Sequence, residues 1–306
     1  MRGGRGYPRK PGGRKERGGL KRRGRGGGDG REEEEDPRQA EISRAELGLK
    51  VRKAGATPWV KCMSLVTAEP LAGREASQYR SLVARANYLA QDRADIAYAV
   101  KEACRDMANP KANSWEKIKR VVRYLKGEPR VVYEYNWQNH EDISVYVDTD
   151  WAGCFKTRKS TSGGAIMRGG HLLKHWSSTQ QTVALSSGEA ELKGIVKGAA
   201  EGMGMQNIAK NLSIYYGIHL CTDSSAAMGM VARKGMGTVR HIEVGELWIQ
   251  DAVRNNVLTV NKVKGEDNLA DILTKYIEQG KIHQHCNGMR LVPEGGRPDS
   301  APATTS

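Results

Sequence analysis

Acidic residues recur where predicted strands end and predicted helices begin in the second half of the chain. They are Asp148, Asp150, Glu189, Glu191, Asp223, Asp267 and Asp271. In an open α/β sheet, ligands collect at this edge. Several carboxylates in one cleft repel each other, and a divalent cation offsets that repulsion. Magnesium prefers oxygen ligands, and two such ions about 3.5–4 Å apart can clamp the attacking and leaving oxygens of a phosphoryl displacement.

Spacing decides which of these acids can share a site. Asp148 and Asp150 face the same side if their strand continues through both residues, whereas Asp150 is a loop residue if the strand ends earlier. Glu189 and Glu191 lie about 200° apart around a helix, so only one of them can face the cleft. Because Glu189 stands three residues after Ser186, the spacing of a capping box, Glu191 is the better candidate ligand.

Each acid also has an ordinary structural interpretation when it is taken alone. Asp223 precedes two serines, so it is as well suited to capping a helix as to binding a metal. Glu191 by itself would more often be a solvated residue on a helix face. Asp267 and Asp271 are one turn apart on one face if the last helix is regular. The prediction of a metal site therefore depends on the joint pattern.

The elements that must position these acids follow from the hydrophobic periodicity. A 3.6-residue period predicts helices between about residues 77 and 126, and alternation from residue 130 onwards predicts strands. From Ile143 the order is three strands, a helix, a strand, one or two helices, a strand and a helix. This order predicts an α/β domain of about 130 residues with a mixed sheet. We also expect a strand over 182–186, and helices over 241–256 and 267–277.

The first 25 residues form a basic, glycine-rich segment. They hold eleven Arg or Lys residues and one acid, which accounts for ten of the fourteen net positive charges of the chain. The segment contains no Val, Ile, Phe or Trp, so we expect residues 1–40, including the acidic run "REEEED", to be disordered. Such a tail either contacts phosphates with little sequence preference or is a solvated solubility tail. Residues 290–306, rich in Gly, Pro, Ser and Thr, are also expected to be disordered.

The composition disfavours several protein classes. No run of about 18 apolar residues exists, so no membrane span is predicted. The N-terminus lacks the apolar segment of a secretory signal. The five cysteines are scattered and form no C-x-x-C motif, which supports neither a zinc site nor a disulfide framework. We therefore expect an intracellular protein, cytoplasmic or nuclear.

Five sequence blocks resemble, in order, the ribonuclease H domain of copia-type retrotransposon Pol polyproteins. They are "VDTDWAGCFKTRKSTSGG", "WSSTQQTVALSSGEAEL", "CTDSSAA", "RHIEV" and "NLADILTK". Upstream, "YRSLVARANYLAQDRADIAYAV" and "WEKIKRVVRYLKG" resemble the end of the preceding reverse-transcriptase region. The resemblance covers about Thr57 to Tyr276. It implies a helical remnant of that region over 57–135 and a ribonuclease H-like domain over 141–280, with a mixed five-stranded sheet flanked by helices.

The resemblance implies an enzyme that hydrolyses the RNA strand of RNA–DNA hybrids with two Mg²⁺ ions, for which Mn²⁺ can substitute. Matched by motif, its four catalytic and metal-binding acids are Asp148, Glu191, Asp223 and Asp271, in agreement with the spacing. Asp150 stays open as either an accessory ligand or a turn residue.

Other motif residues carry two interpretations each. His241 either contacts the scissile phosphate or is a helix-start histidine paired with Glu243 or Glu246. The stretch "TRKST" either binds nucleic-acid phosphate or is a solvated turn. Its candidate binding residues are Arg158, Lys159 and Ser160.

The chain departs from the family in two respects. Cellular ribonucleases H carry a histidine shortly before the last acid, whereas "VKGEDNLAD" contains none and offers only Glu266 as a substitute. The paired-aspartate motif of the polymerase is also absent, so we expect no DNA synthesis. The alternative to an active enzyme is a catalytically inactive remnant that holds nucleic acid without cutting it.

Deleting residues 1–30 should weaken binding to single strands, duplexes and hybrids alike, because the tail senses only phosphate charge. Each phosphate that the tail no longer neutralises should remove about 0.7–0.9 from the slope of log affinity against log salt. Fluorescence anisotropy over a salt series measures both quantities. Unchanged affinity and slope would make the tail a passive appendage. Loss of hybrid preference at saturating substrate would contradict placing that preference in the folded domain.

Overall fold

The computed structural model describes most of the chain between residues 31 and 294. The described ranges are 31–34, 53–60, 68–140, 142–237 and 241–294. Most of the segments that the sequence predicts as disordered lie outside these ranges. Two short strands nevertheless lie within the segments that were predicted to be disordered, and there the prediction is wrong. They are β1 (Arg31–Glu34) and β8 (Leu291–Glu294). Both pair antiparallel with β2 (Arg130–Tyr135), and such backbone pairing is only weakly visible in composition.

Three helices precede the main sheet, as the periodicity predicts. They are α1 (Gly73–Leu89), α2 (Ala94–Cys104) and α3 (Ser114–Gly127). Their apolar faces share one core, in which Tyr79, Ile118 and Leu125 are fully buried. The Tyr79 hydroxyl donates to the Ala103 carbonyl at 2.8 Å, so α1 and α2 are joined by a buried hydrogen bond.

A five-stranded mixed sheet forms the second half of the molecule. Its strands are β3 (Asp142–Asp150), β4 (Thr161–Arg168), β5 (His171–Thr179), β6 (Gly217–Thr222) and β7 (Thr259–Lys262). The spatial order is β5–β4–β3–β6–β7, antiparallel from β5 to β3 and parallel from β3 to β7. The long helix α4 (Ser187–Asn211) connects β5 to β6 and packs on β3. This architecture confirms the predicted ribonuclease H-like fold class.

Three further helices complete the described part of the chain, and the last of them was not predicted. They are α5 (Ser225–Ala232), α6 (Trp248–Arg254) and α7 (Gln279–Gly288). The helix predicted over 241–256 is reduced to α6 and a 3₁₀ turn at Val244–Glu246. Among the helices in the described part of the chain, none is long and apolar enough to cross a membrane.

Two secondary-structure predictions are wrong. Residues 182–186 are irregular instead of forming a strand, and their apolar Val183 and Leu185 are exposed. The helix predicted over 267–277 is replaced by two 3₁₀ turns, Gly265–Asp267 and Leu269–Leu273.

Asn268 separates the two turns because its side chain bonds to the backbone. It donates to the Val147 carbonyl at 3.0 Å and accepts from the Ala270 amide at 3.2 Å, which competes with a regular helix. Asp267 and Asp271 therefore do not share one helix face.

Glycines spaced four residues apart let α4 approach β3 closely. Gly194, Gly198 and Gly202 lie on the buried side of the helix, where a methyl group at Gly198 would collide with Val147. The Gly194 position lies beside Thr149 and the Asp148 carbonyl. The N-terminal half of α4 is thus held over the carboxyl end of β3, which carries candidate acids.

The substitution Gly198→Ala should destabilise the fold by about 1–3 kcal/mol, because the added methyl overpacks the α4–β3 contact. Gly204→Ala is the matched control, since this glycine lies in the same helix with open space around it. The control should stabilise the fold by about 0.5–1 kcal/mol through helix propensity alone. Urea denaturation measures both changes, and equal effects of the two substitutions would contradict the close packing.

Candidate active site

Asp148 lies near the end of the central strand β3 and is buried. Its Oδ2 accepts a hydrogen bond from the Thr274 hydroxyl and lies 3.6 Å from the Lys275 ammonium. The same ammonium lies 2.9 Å from Asp271 Oδ1. One positive charge therefore bridges two of the predicted metal-binding acids.

Asp271 reaches this position through the second 3₁₀ turn rather than through a helix. The hydrogen bond from Asn268 to the Val147 carbonyl fixes the turn against β3, one residue before Asp148. Burial, and then the neighbouring Asp148, raise the pKa of Asp271 to about 6. Lys275 opposes this shift, because its positive charge favours the ionised carboxylate.

Glu191 projects from the second turn of α4. Its Oε2 is buried with no hydrogen-bond partner among the described residues. Burial, and then Asp148 and Asp223, raise the pKa of Glu191 to about 8. Glu189, two residues earlier, instead accepts a hydrogen bond from the Leu185 amide at 2.8 Å and forms an ion pair with Lys193 at 2.8 Å. The two glutamates therefore face different surroundings, as the helical spacing predicts.

Asp223 follows β6 immediately and does not cap the next helix. Ser224 is the N-cap residue of α5, and its hydroxyl accepts from the Ala227 amide at 3.2 Å. Burial, and then Asp148, raise the pKa of Asp223 above its ordinary value. The capping interpretation of Asp223 is therefore replaced by an electrostatic link to Asp148.

The four acids share one electrostatic environment but do not form a ready-made metal site. Within the described ranges, no group of three or more His, Cys, Asp or Glu side chains is arranged to hold a metal ion. The donor chemistry nevertheless fits a divalent cation, since all four groups are carboxylates and Glu191 Oε2 lacks a donor. Lys275 already places one positive charge among them.

The accessory candidates Asp150 and His241 have different neighbours. β3 continues through Asp150, whose pKa is raised by burial and then by Asp148. His241 Nε2 lies 3.2 Å from the Ser186 hydroxyl and 3.4 Å from Glu189 Oε2, at the start of α4. The expected pairing of His241 with Glu243 or Glu246 is therefore replaced by pairing with Glu189.

The three residues of the candidate phosphate-binding loop differ in exposure. Arg158 is exposed and Lys159 is half-buried, so their charges can reach a ligand. Ser160 is fully buried, and its hydroxyl accepts from the Ala152 amide at 3.1 Å. The expectation that Ser160 contacts phosphate is therefore wrong, because its hydroxyl holds the loop together.

Sequence reasoning missed Thr274 and Lys275. A signal for Lys275 was present, because it stands four residues after Asp271, a spacing typical of ion pairs on one face. The bond from Thr274 to Asp148 joins residues 126 positions apart, which no local pattern reveals.

Known proteins resemble this chain over about three quarters of its length. The Pol polyprotein of transposon RE2 from Arabidopsis thaliana is 29% identical over 234 residues, covering 76% of this chain and 16% of the relative. That of transposon TNT 1-94 from Nicotiana tabacum is 29% identical over 233 residues, covering 75% and 17%. Over about three quarters of its length, the chain is thus similar to Pol polyproteins of copia-type transposons. No protein-family model matches it.

The chain spans about one-sixth of the length of those Pol relatives. Among solved structures, the ribonuclease H1 LC11 in complex with an RNA/DNA hybrid is similar at 17% identity with a TM-score of 0.33. That similarity covers 44% of this chain and 94% of the solved one.

The cluster of four acids should make the stability of the fold decrease with rising pH when divalent cations are removed. Folded Glu191 has a pKa of about 8 against an ordinary value of 4.5, so the folded state binds more protons over this interval. The stabilising contribution is complete below about pH 4.5 and is lost as the pH rises through about 8. We expect a loss of about 1–3 kcal/mol.

Urea denaturation at pH 5 and pH 8.5 in a chelator measures this loss. Glu191→Gln should remove most of the pH dependence. Asp251→Asn, at an exposed acid paired with Arg254, should leave the dependence unchanged. Equal pH profiles for the wild-type protein and Glu191→Gln would show that the cluster does not control stability.

Proposed function

We propose that this chain is a ribonuclease H-type hydrolase that cuts the RNA strand of RNA–DNA hybrids with the help of divalent metal ions. The observation that carries the proposal is the convergence of four carboxylates from four separate elements. These are Asp148, Glu191, Asp223 and Asp271, from β3, α4, the end of β6 and a 3₁₀ turn. A structural role alone gives no reason to concentrate buried negative charge in this way.

The four carboxylates would hold two Mg²⁺ ions, or Mn²⁺ in their place. When bound, such ions supply Lewis-acid stabilisation and an acidic water for phosphodiester hydrolysis. Thr274 fixes the orientation of Asp148 through its hydroxyl. Lys275 limits the repulsion between Asp148 and Asp271 until it is displaced. Its ammonium, 41% exposed, can then turn toward the substrate phosphate.

Several aromatic and basic side chains near the acids in the sequence or the fold are of the kinds that contact nucleic acid. Trp151 is exposed next to the acids, and its indole N–H donates to the Ala184 carbonyl at 3.1 Å, which fixes the ring. Arg158 and Lys159 supply positive charge on the following loop, and His241 stands at the start of α4. A hybrid carries 2′-hydroxyls on one strand only, so a site that contacts both strands can recognise it. The basic tail would add affinity for nucleic acid in general.

One observation favours the second candidate function, a remnant that binds nucleic acid without cutting it. Lys275 already neutralises part of the charge of Asp148 and Asp271, and the acids are not arranged to hold a metal as they stand. If metal cannot displace this ammonium, the folded domain would bind a hybrid without hydrolysing it. Neither candidate function includes DNA synthesis.

Asp148→Asn and Asp223→Asn should each abolish cleavage of a labelled RNA–DNA hybrid in Mg²⁺. The expected loss exceeds the roughly 10–100-fold effect of removing a partner outside the metal's own ligands. Asp251→Asn is the control, because it removes an exposed carboxylate of the same type that is paired with Arg254 and not with the cluster. Thermal denaturation should show folded protein in all three variants.

The same assay in Mg²⁺, in Mn²⁺ and in chelator separates the two candidate functions. Cleavage that requires metal and both aspartates supports the hydrolase. Hybrid binding by anisotropy with no cleavage in either metal supports the inactive remnant. Full cleavage by both asparagine variants would refute the assignment of the acids.

A further inference from the structure

The loop between β3 and β4, residues 151–160, is attached to a helix that lies outside the five-stranded sheet. Arg105 directly follows α2, and its guanidinium donates to Cys154 Sγ and, at 3.2 Å, to Thr157 Oγ1. One turn earlier, the Lys101 ammonium donates to Thr161 Oγ1 at 2.8 Å. Two basic side chains of the upstream helical region thus hold the loop at its middle and at its end.

These contacts form an enclosed ionic network. Glu102 Oε1 accepts from Lys101 at 2.5 Å and from Arg105 at 3.2 Å, so it fixes both cations. The side chains of Lys101, Glu102 and Arg105 are only 12%, 16% and 23% exposed. Charged pairs with so little exposure lose far less to solvent screening than surface pairs do. The network therefore holds the 151–160 loop firmly against α2.

The network also reaches the acid cluster. Thr161, which binds Lys101, is the strand partner of Asp150 across β3 and β4. On the other side, burial would raise the pKa of Cys154, but hydrogen bonds from Thr157 and Arg105 hold it below its ordinary value.

The loop itself has a backbone that needs such support. Ala152 and Arg158 have φ values of 53° and 56°, in the left-handed region that non-glycine residues seldom adopt. On the inner face of the loop, Ser160 and Cys154 accept hydrogen bonds from other groups of the protein. Its outer face presents Phe155, 71% exposed, beside two exposed cations, Lys156 and Arg158. Aromatic and basic side chains side by side are typical of surfaces that contact nucleic acid.

We propose that Lys101 and Arg105 are positioning residues for substrate, and that α2 is a working part of the nucleic-acid site. They hold the 151–160 loop so that its aromatic and basic outer face contacts the backbone and bases of the hybrid. The choice of hybrid as the ligand rests on the proposed function. The attachment of the loop to α2 is a separate claim and is tested separately.

The test compares Arg105→Gln with Arg120→Gln. Arg120 is a matched control, since it is also half-buried and donates two hydrogen bonds of 3.0 Å, both to Thr57 within the upstream region. For Arg105→Gln we expect about tenfold weaker binding of a hybrid in chelator, the effect of losing charge-assisted hydrogen bonds. With metal, KM should rise about as much, while kcat changes less than about twofold. Arg120→Gln should leave all three values unchanged.

Two measurements without substrate test the attachment itself. Hydrogen exchange of residues 151–160 should accelerate in Arg105→Gln and not in Arg120→Gln. The pH profile of Cys154 alkylation, followed on its peptide by mass spectrometry, should shift to higher pH in Arg105→Gln. If Arg105→Gln fails to fold, Lys101→Met provides the same exchange and binding tests.

The outcomes separate the inference from the proposed function. If the wild-type protein binds hybrid but never cuts it, the hydrolase proposal fails, while exchange and binding still decide the role of α2. Unchanged loop exchange in Arg105→Gln, or equal losses in both arginine variants, would overturn the attachment. A fall in kcat at constant KM would place Arg105 in the chemistry instead of in substrate positioning.

Discussion

Repulsion among buried carboxylates is the constraint around which the second half of this molecule is built. Burial raises the pKa of Glu191, Asp223 and Asp271, and the neighbouring Asp148 raises each of them further. The surrounding structure offsets this cost with two groups, the Thr274 hydroxyl and the Lys275 ammonium. Under the proposed function, a divalent cation would compete with Lys275 for the oxygens of Asp148 and Asp271.

The cluster exists only because distant segments are fixed at close range. The glycine-lined side of α4 brings Glu191 over the end of β3, and Asn268 ties the last acid to the strand backbone. The loop after β3 is held from outside by Arg105. Each of these contacts crosses from one element to another, so the geometry of the acids is a property of the whole fold and not of any motif.

The sequence predicts regular elements well and irregular ones poorly. Alternation identified the strands of the mixed sheet, and the helical spacing separated Glu191 from Glu189 because both signals are local periodicities. The 3₁₀ turns around Asn268 could not be predicted, since they depend on a bond to Val147, 121 positions away. Val183 and Leu185 led to the wrong prediction of a strand over 182–186, because an alternating apolar stretch before a helix cap has the same pattern as a strand. Arg105 had no local signal, since its partner Cys154 is 49 positions away.

The small sheet formed by β1, β2 and β8 has a consequence for the order of folding. Val131 of β2 lies opposite Pro293 of β8, so this pairing closes a loop of about 160 residues that contains the entire five-stranded sheet. Closing so long a loop costs much chain entropy unless the intervening domain is already compact. We therefore expect β2 and β8 to pair after that domain has folded. During synthesis, β2 must therefore wait as an unpaired edge on its β8 side until nearly the whole described chain has left the ribosome. The sheet that is smallest in the finished molecule is thus the last to be completed.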